Sequence, residues 1–284
     1  MTARVVACMP AWNASEFIAP VLESLASQTY ANLDVLISVD LCSDGTAEIC
    51  ERFTATHPNV RVIRQPVRLG WLANANALLS AAEGDYAFFA FHDDPLTSEY
   101  VATLVAALER NPDAVLAFSD FTTNSGSGTY DVLDGVTQRF ERCRRIFHGY
   151  GVWWSPNRGL MRMDAVKKLG GMRRSLAGEY SADMPWLLRL ATLGAFVHVP
   201  EKLLHKNLHG RSLSASWRKG LWNRTSVKLA CIGVMRRAHF TPAQELYLYA
   251  ECLMTTVGFT SCPRPLQGLK RRVQGWVSRR LTTG

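Results

Sequence analysis

Short apolar runs alternating with helix-spaced segments predict an α/β fold for this 284-residue chain: a mostly parallel central sheet flanked by helices, with a helical C-terminal extension. Two further observations sharpen that reading. Two of the apolar runs end in acids, Asp40 after one and Asp93-Asp94 after another. In open α/β sheets ligands bind beyond the carboxyl ends of the strands, so these acids mark the edge where a metal, a phosphate or a sugar would be handled.

The elements follow in order. Val5 to Met9 is a short apolar strand that Pro10 stops before Trp12, Asn13 and Ala14. Ser15 is a candidate N-cap for a helix carrying Phe17, Ile18, Val21, Leu22 and Leu25 at spacings of three and four. Leu33 to Val39 is a second strand closed by Asp40, and Ser43-Asp44-Gly45-Thr46 turns the chain into a helix over Ala47 to Phe53. Val60 to Ile63 makes a third strand, and Leu69 to Ala82 a third helix bearing Asn74 and Asn76. The run Asp85 to Asp94 is a buried strand candidate that ends abruptly in His92, Asp93 and Asp94. A helix over Ser98 to Arg110 and a strand over Ala114 to Ser119 extend the alternation.

Between Thr122 and Gly151 the pattern dissolves, which predicts a loop region over the site with a basic patch at Arg139, Arg142, Arg144 and Arg145. Gly159 to Met163 reads as a strand and Asp164 to Leu169 as a short helix broken by Gly170 and Gly171. Asp183 to Leu193 returns to helical spacing, and Ala195 to Val199 is a short strand before Pro200. From Trp217 onward the chain is mostly helical and basic.

A hydrophobic content of 48% is ample for one main domain with an appendage. The net charge of +8 and pI near 9.3 suit polyanions, anionic lipid or a phosphorylated small molecule. The arginines are dispersed and no recognition module is evident, so nucleic acid is not an expected partner. No Gly-x-Gly-x-x-Gly follows the first strand and no Walker lysine motif occurs, which removes the main support for dinucleotide and ATPase readings. Seven scattered cysteines without a Cys-x-x-Cys pair, and a start that enters an apolar strand directly, predict a reduced, cytoplasmic protein. No apolar run reaches the roughly 18 residues of a membrane span; Leu246 to Thr260 comes nearest, and Glu251 interrupts it.

Four separated segments resemble the family 2 glycosyltransferases. Pro10-Ala-Trp-Asn13 resembles the family's Pro-x-Tyr-Asn loop, and Asp40 with Ser43-Asp44-Gly45-Thr46 resembles its Asp-Asp-Gly-Ser-x-Asp-Gly-Thr stretch. Gly70 to Asn76, leading through Gly84-Asp85-Tyr86 to His92-Asp93-Asp94, resembles the segment ending in Asp-x-Asp. Ala182-Asp183 with Leu187, Arg189 and Leu190 resembles the Glu-Asp-x-x-Leu-x-x-Arg helix, and His209 to Ser214 a following His-x-x-Ser-x-Ser loop. The departures are Leu41 and Cys42 for the second acid and glycine, Phe91 for the first acid of Asp-x-Asp, and Ala75 for an arginine. Ala182 replaces a glutamate and Asn207 an arginine.

The resemblance implies a GT-A fold over residues 1–215, with 216–284 as the basic extension, and an inverting transfer of a sugar from a nucleotide-diphosphate donor, UDP being common in the family. It also implies a divalent metal, Mn2+ or Mg2+, and an acceptor hydroxyl on a glycan, a lipid-linked or another molecule. Asp93 is then the metal ligand and Asp183 the general base. Pro10, Trp12, Asn13 and Asp40 would meet the base or ribose, and Arg68, Asn76, Asp94 and His209 the remainder of the donor. His92 lies in the same site, outside the metal shell, because successive strand side chains face opposite ways. Structural alternatives stand beside several of these: Trp12 as a core plug, Asp40 capping Ser43 to Thr46, Asp93 capping the next helix, Asp183 serving the dipole of its own helix.

Pro265 to Leu281 places Leu266, Leu269, Val273, Trp276 and Val277 at helical spacing with arginines around them. This predicts either an amphipathic helix in peripheral contact with the inner face of an anionic membrane or a packed helix with a solvated basic face. A domain retained only for nucleotide-sugar binding, and a nucleotidyltransferase, are the competing functional classes; the latter normally has a glycine-rich loop that Pro10 to Phe17 lacks.

Overall fold

The computed structural model describes residues 2–149, 151–217 and 220–256. The Pro265 to Leu281 segment lies outside them. The sheet has eight strands: β1 (Val5–Ala11), β2 (Leu33–Val39), β3 (Val60–Arg64), β4 (Tyr86–Phe89), β5 (Ala114–Thr123), β6 (Gly126–Gly128), β7 (Leu160–Arg162) and β8 (Ala195–Lys206). Their order is β3-β2-β1-β4-β7-β5-β6, with β8 paired along β5. β1 is parallel to β2 and β4, β2 to β3, and β5 to β8, whereas β7 runs antiparallel between β4 and β5. Two antiparallel steps restore direction, so β1, β2, β4, β5 and β8 all end at one edge, where β7 begins.

Helices cover both faces. α1 (Ile18–Ala26), α2 (Thr46–Thr54) and α4 (Tyr100–Glu109) bury their apolar stripes against Val5, Ala7, Met9, Val35 and Ile37. On the other face, α3 (Trp71–Ala81), α5 (Arg139–His148), α6 (Met163–Leu169) and α7 (Asp183–Leu193) pack over Val6, Cys8, Leu36, Ala87 and Phe89. The short α8 (Leu213–Ser216) leads to α9 (Leu221–Arg237) and α10 (Pro242–Thr256). Val227, Cys231, Ile232, Met235 and Leu248 join the same core as α7. The alternation of β1 between the two clusters is the period-two pattern of a strand buried on both sides.

Three sequence expectations are corrected. Pro10 does not stop β1, which continues to Ala11. The Ala11 carbonyl accepts the Asp40 amide on the β2 side, so the missing N–H of Pro10 faces β4, whose pairing has ended at Phe89. Pro200 likewise lies within β8; the partner register jumps from Ser119–Val199 to Asp120–Lys202, and this bulge absorbs the proline. The 139–148 stretch is a helix, not a loop, and its arginines serve the fold. Arg142 is buried against the Ala191 and Thr137 carbonyls, while Arg144 and Arg145 pair with Glu141.

Candidate active site

The strand ends place the acids in two groups. At the β2 end, the buried Asp40 carboxylate accepts the amides of Leu41 (3.0 Å), Leu69 (2.8 Å) and Gly70 (2.9 Å), and the Arg68 guanidinium bonds it as well. Gly70 has φ 82° and ψ 165°, a backbone conformation that glycine alone adopts without strain, and it lets the chain turn from Asp40 into α3. Arg68 also lies 3.8 Å over the Trp12 ring, and Trp12 Nε1 donates to the Leu41 carbonyl at 3.2 Å. Trp12 is therefore no core plug; it is a half-exposed plate at the mouth. Asn13, at φ 45°, holds the neighbouring loop through its exchange with Ser43 and the contact of its amide with Cys42 Sγ.

At the β4 end the chain leaves the sheet at Phe89 and turns, with the Asp94 amide bonded to the Phe91 carbonyl at 3.1 Å. His92, Asp93 and Asp94 are thus beyond the strand, and strand alternation does not govern them. His92 is instead held by its Nδ1 contact with the Pro10 carbonyl at 3.1 Å. Asp94 is buried and accepts Arg158 Nε (2.8 Å), Lys206 Nζ (3.0 Å) and the Asn207 amide (3.1 Å). Asp93, beside it, has one side-chain partner, His209 Nε2 at 3.0 Å, with Lys206 Nζ 3.8 Å away. Burial alone would raise the Asp93 carboxyl, but Lys206, His92, the His209 bond and Arg158 outweigh it and hold the group below the ordinary carboxylate range. His209 stacks on Phe17 at 4.2 Å, and its Nδ1 is buried without a partner.

Asp183 opens α7. Its Oδ1 is buried without a hydrogen-bond partner, and burial pushes the carboxyl up to about 6, opposed in part by the charge of Arg158. Arg158 was not anticipated from the sequence, nor was Lys206. Arg158 immediately precedes the expected strand Gly159 to Met163, which was the available signal, whereas Lys206 closes β8 seven residues past the Val199 end that the sequence predicts and carried none. Arg158 lies in a 3-10 turn, Ser155–Arg158, and its guanidinium packs over Phe91 (4.7 Å) and Trp154 (4.6 Å). The aromatic ring at the first position of the acidic motif thus supports a cation. Ala182 is fully buried.

Asn76 does not join this group: its amide exchanges two hydrogen bonds with the Met172 backbone, at 2.9 and 2.8 Å, and ties α3 to the loop after α6. The remaining expected residues, Pro10, Trp12, Asn13, Asp40, Arg68, His92, Asp93, Asp94, Asp183 and His209, border the same sheet edge.

The donor chemistry of the Asp93 and His209 pair fits a divalent cation, an ionised oxygen and an imidazole nitrogen converging at a buried corner. Among the described residues no three His, Cys, Asp or Glu side chains cluster as a metal cage, so such an ion would take its other positions from water and phosphate oxygens.

The uncharacterized glycosyltransferase YibD of Escherichia coli K12 is 25% identical over 265 residues, 88% of this chain and 75% of YibD. Two Streptococcus pneumoniae relatives match over shorter stretches, and the chain spans only 18% and 39% of their lengths. Among solved structures, Staphylococcus aureus TarS 1-349 in complex with UDP-GlcNAc aligns with TM-score 0.73 at 16% identity, over 96% of this chain and 80% of that one. The mannosyltransferase PcManGT of Pyrobaculum calidifontis, in complex with GDP-Man and Mn2+, aligns with TM-score 0.57 at 14% identity, over 98% and 84%. The Glycosyl transferase family 2 model matches residues 6–169, and with this sheet and these strand-end acids the chain belongs to that family and has the GT-A fold.

Proposed function

We propose that the protein transfers a sugar from a nucleotide-diphosphate donor to an acceptor hydroxyl by a single inverting displacement, with the chemistry carried by residues 1–215. One observation carries this reading: beyond the strand ends of a family 2 glycosyltransferase fold, Asp93 keeps a single side-chain hydrogen bond, to His209, and Asp183 keeps a buried carboxylate oxygen with none. Trp12, Asn13, Asp40 and Arg68 form the wall for the base and ribose. A UDP-sugar is the favoured donor, in keeping with the TarS complex.

A divalent ion held by Asp93 and His209 would neutralise charge growing on the leaving diphosphate. Lys206 adds a fixed positive charge beside the same corner. Asp183 Oδ1 has unused acceptor capacity and a carboxyl poised near neutrality, which suits proton removal from the attacking hydroxyl. As the acceptor oxygen bonds to the anomeric carbon, the bond to the diphosphate breaks and the proton goes to Asp183. Attack opposite the leaving group inverts the configuration.

The test is a panel of nucleotide sugars followed by nucleoside diphosphate release, with Mn2+, Mg2+ or chelator, beside Asp93→Ala. Release from one donor that is lost both with chelator and in Asp93→Ala is expected. Donor binding without release under any condition would overturn transfer in favour of a binding domain.

A further inference from the structure

From residue 202 to residue 244 the chain contains nine lysines and arginines and no aspartate or glutamate. The same segment leaves large apolar side chains in water. Leu221, Trp222 and Leu229 of α9 are 62%, 65% and 48% exposed, and Leu213 of α8 is also exposed. Trp222, Thr225, Leu229 and Arg236 recur at spacings of three, four and seven, so they share one face of α9, while Val227, Cys231 and Met235 are buried in the core. Arg224 and Arg236 are exposed on the helix. A soluble surface of charged residues would not gather Leu and Trp in this way.

We propose that this face, from Leu213 along α9 to Arg236, is a docking surface for an anionic lipid bilayer. The free charge is one-sided: the exposed Arg236 and Arg237 meet lipid phosphates with no carboxylate of the segment opposing them, while Lys206 is held by Asp94, Arg211 by Glu16 and Lys228 by the Phe147 carbonyl. Trp222 supplies an amphipathic ring suited to the headgroup boundary, and Leu213, Leu221 and Leu229 supply the apolar area that enters the acyl edge. A polynucleotide would use the cations but gain little from exposed leucines, and a second copy of the chain would bring the same positive charge against itself. The segment follows His209 directly, so docking would bring the site edge to the membrane and favour an acceptor carried by lipid. The surface stands on charge and exposure and does not depend on the transfer chemistry. It precedes Pro265 to Leu281 in the sequence.

The full chain is to be floated with phosphatidylcholine vesicles and with vesicles that also contain phosphatidylglycerol, at low and high salt. Wild type should float only with the anionic vesicles, and salt should release it. Leu221→Ser with Trp222→Ser should weaken binding about tenfold or more. Arg236→Ala with Arg237→Ala should weaken it less and reduce the salt response. All four side chains are exposed, and unchanged melting curves would show that the variants fold. Wild-type emission should be quenched by brominated lipid more than that of Trp222→Phe. Vesicle binding that is equal in wild type and the Leu221/Trp222 variant would overturn the proposal, as would absence of vesicle binding. Polynucleotide binding or self-association that alone depends on these residues would overturn it too, while failure of sugar transfer would leave it standing.

Discussion

The acids at the sheet edge divide into two kinds. Asp40 and Asp94 are saturated by the protein: Asp40 by three amides and Arg68, Asp94 by Arg158, Lys206 and the Asn207 amide. Asp93 has one side-chain hydrogen bond, to a histidine, and Asp183 keeps an oxygen with none. A carboxylate whose lone pairs are all engaged fixes the loops that reach it, whereas one with spare capacity in a buried place is available to a ligand. Residue type is the same in all four, so partner count separates scaffold from chemistry.

The largest expected effect that tests this division is at Asp183. Asp183→Asn should lower turnover by about 10²- to 10⁴-fold, the usual range for a general base. Because the folded carboxyl is raised from 3.8 to about 6, its ionisation destabilises the fold. That cost begins above the unfolded value and is complete above the folded one, so at pH 7 the variant should gain up to about 3 kcal/mol in urea unfolding. For the same reason wild-type turnover should rise with pH through about 6 as Asp183 ionises. Full turnover in Asp183→Asn, or a loss of stability, breaks the contrast.

Asp94→Ala should cost about 3–5 kcal/mol, because Arg158 remains buried without its anion and Lys206 keeps only the more distant Asp93. Asp40→Ala should cost less, about 1–3 kcal/mol for the stranded amides, since Arg68 can turn to water. Asp93→Ala should change stability by about 1 kcal/mol and abolish Mn2+ binding measured by titration calorimetry. Reversal of that order, with Asp93→Ala unfolding first, would place Asp93 among the scaffold acids.

The smallest effect belongs to a histidine between two acids outside the site. His198 contacts Asp120 at 2.8 Å through Nε2 and Asp134 at 3.1 Å through Nδ1. Burial lowers its basicity, but the two carboxylates outweigh this and raise it above the ordinary histidine value. Its contribution should be full below the unfolded pKa of about 6.5 and lost as pH rises through the raised folded value. His198→Gln should therefore flatten the pH dependence of the melting midpoint over that window. An unchanged slope would remove the protonated histidine as the link between these acids.

Local pattern carried much of this protein. The period-two alternation of Val5 to Met9, the closure of β2 at Asp40 and the helix from Asp183 to Leu193 follow from side-chain spacing, and the order of strand-end acids was legible before any contact was known. The continuation of strands through Pro10 and Pro200 was not, because a proline is tolerated wherever the neighbouring strand has ended or bulged, and that depends on partners far along the chain. The helix over 139–148 was hidden for a related reason: its buried Arg142 is satisfied by carbonyls of other elements, so its apolar stripe contains a charge.

The sequence by itself determined the α/β alternation, the sheet edge and the acidic stations upon it. Only tertiary structure decided which acid is spent and which is open, because Arg158 and Lys206 reach Asp94 from 64 and 112 residues away and hydrogen-bond it rather than Asp93 or Asp183. Hydrogen-bond saturation is a property of what converges in space, and adjacent aspartates with the same local preferences acquire different chemistry from it.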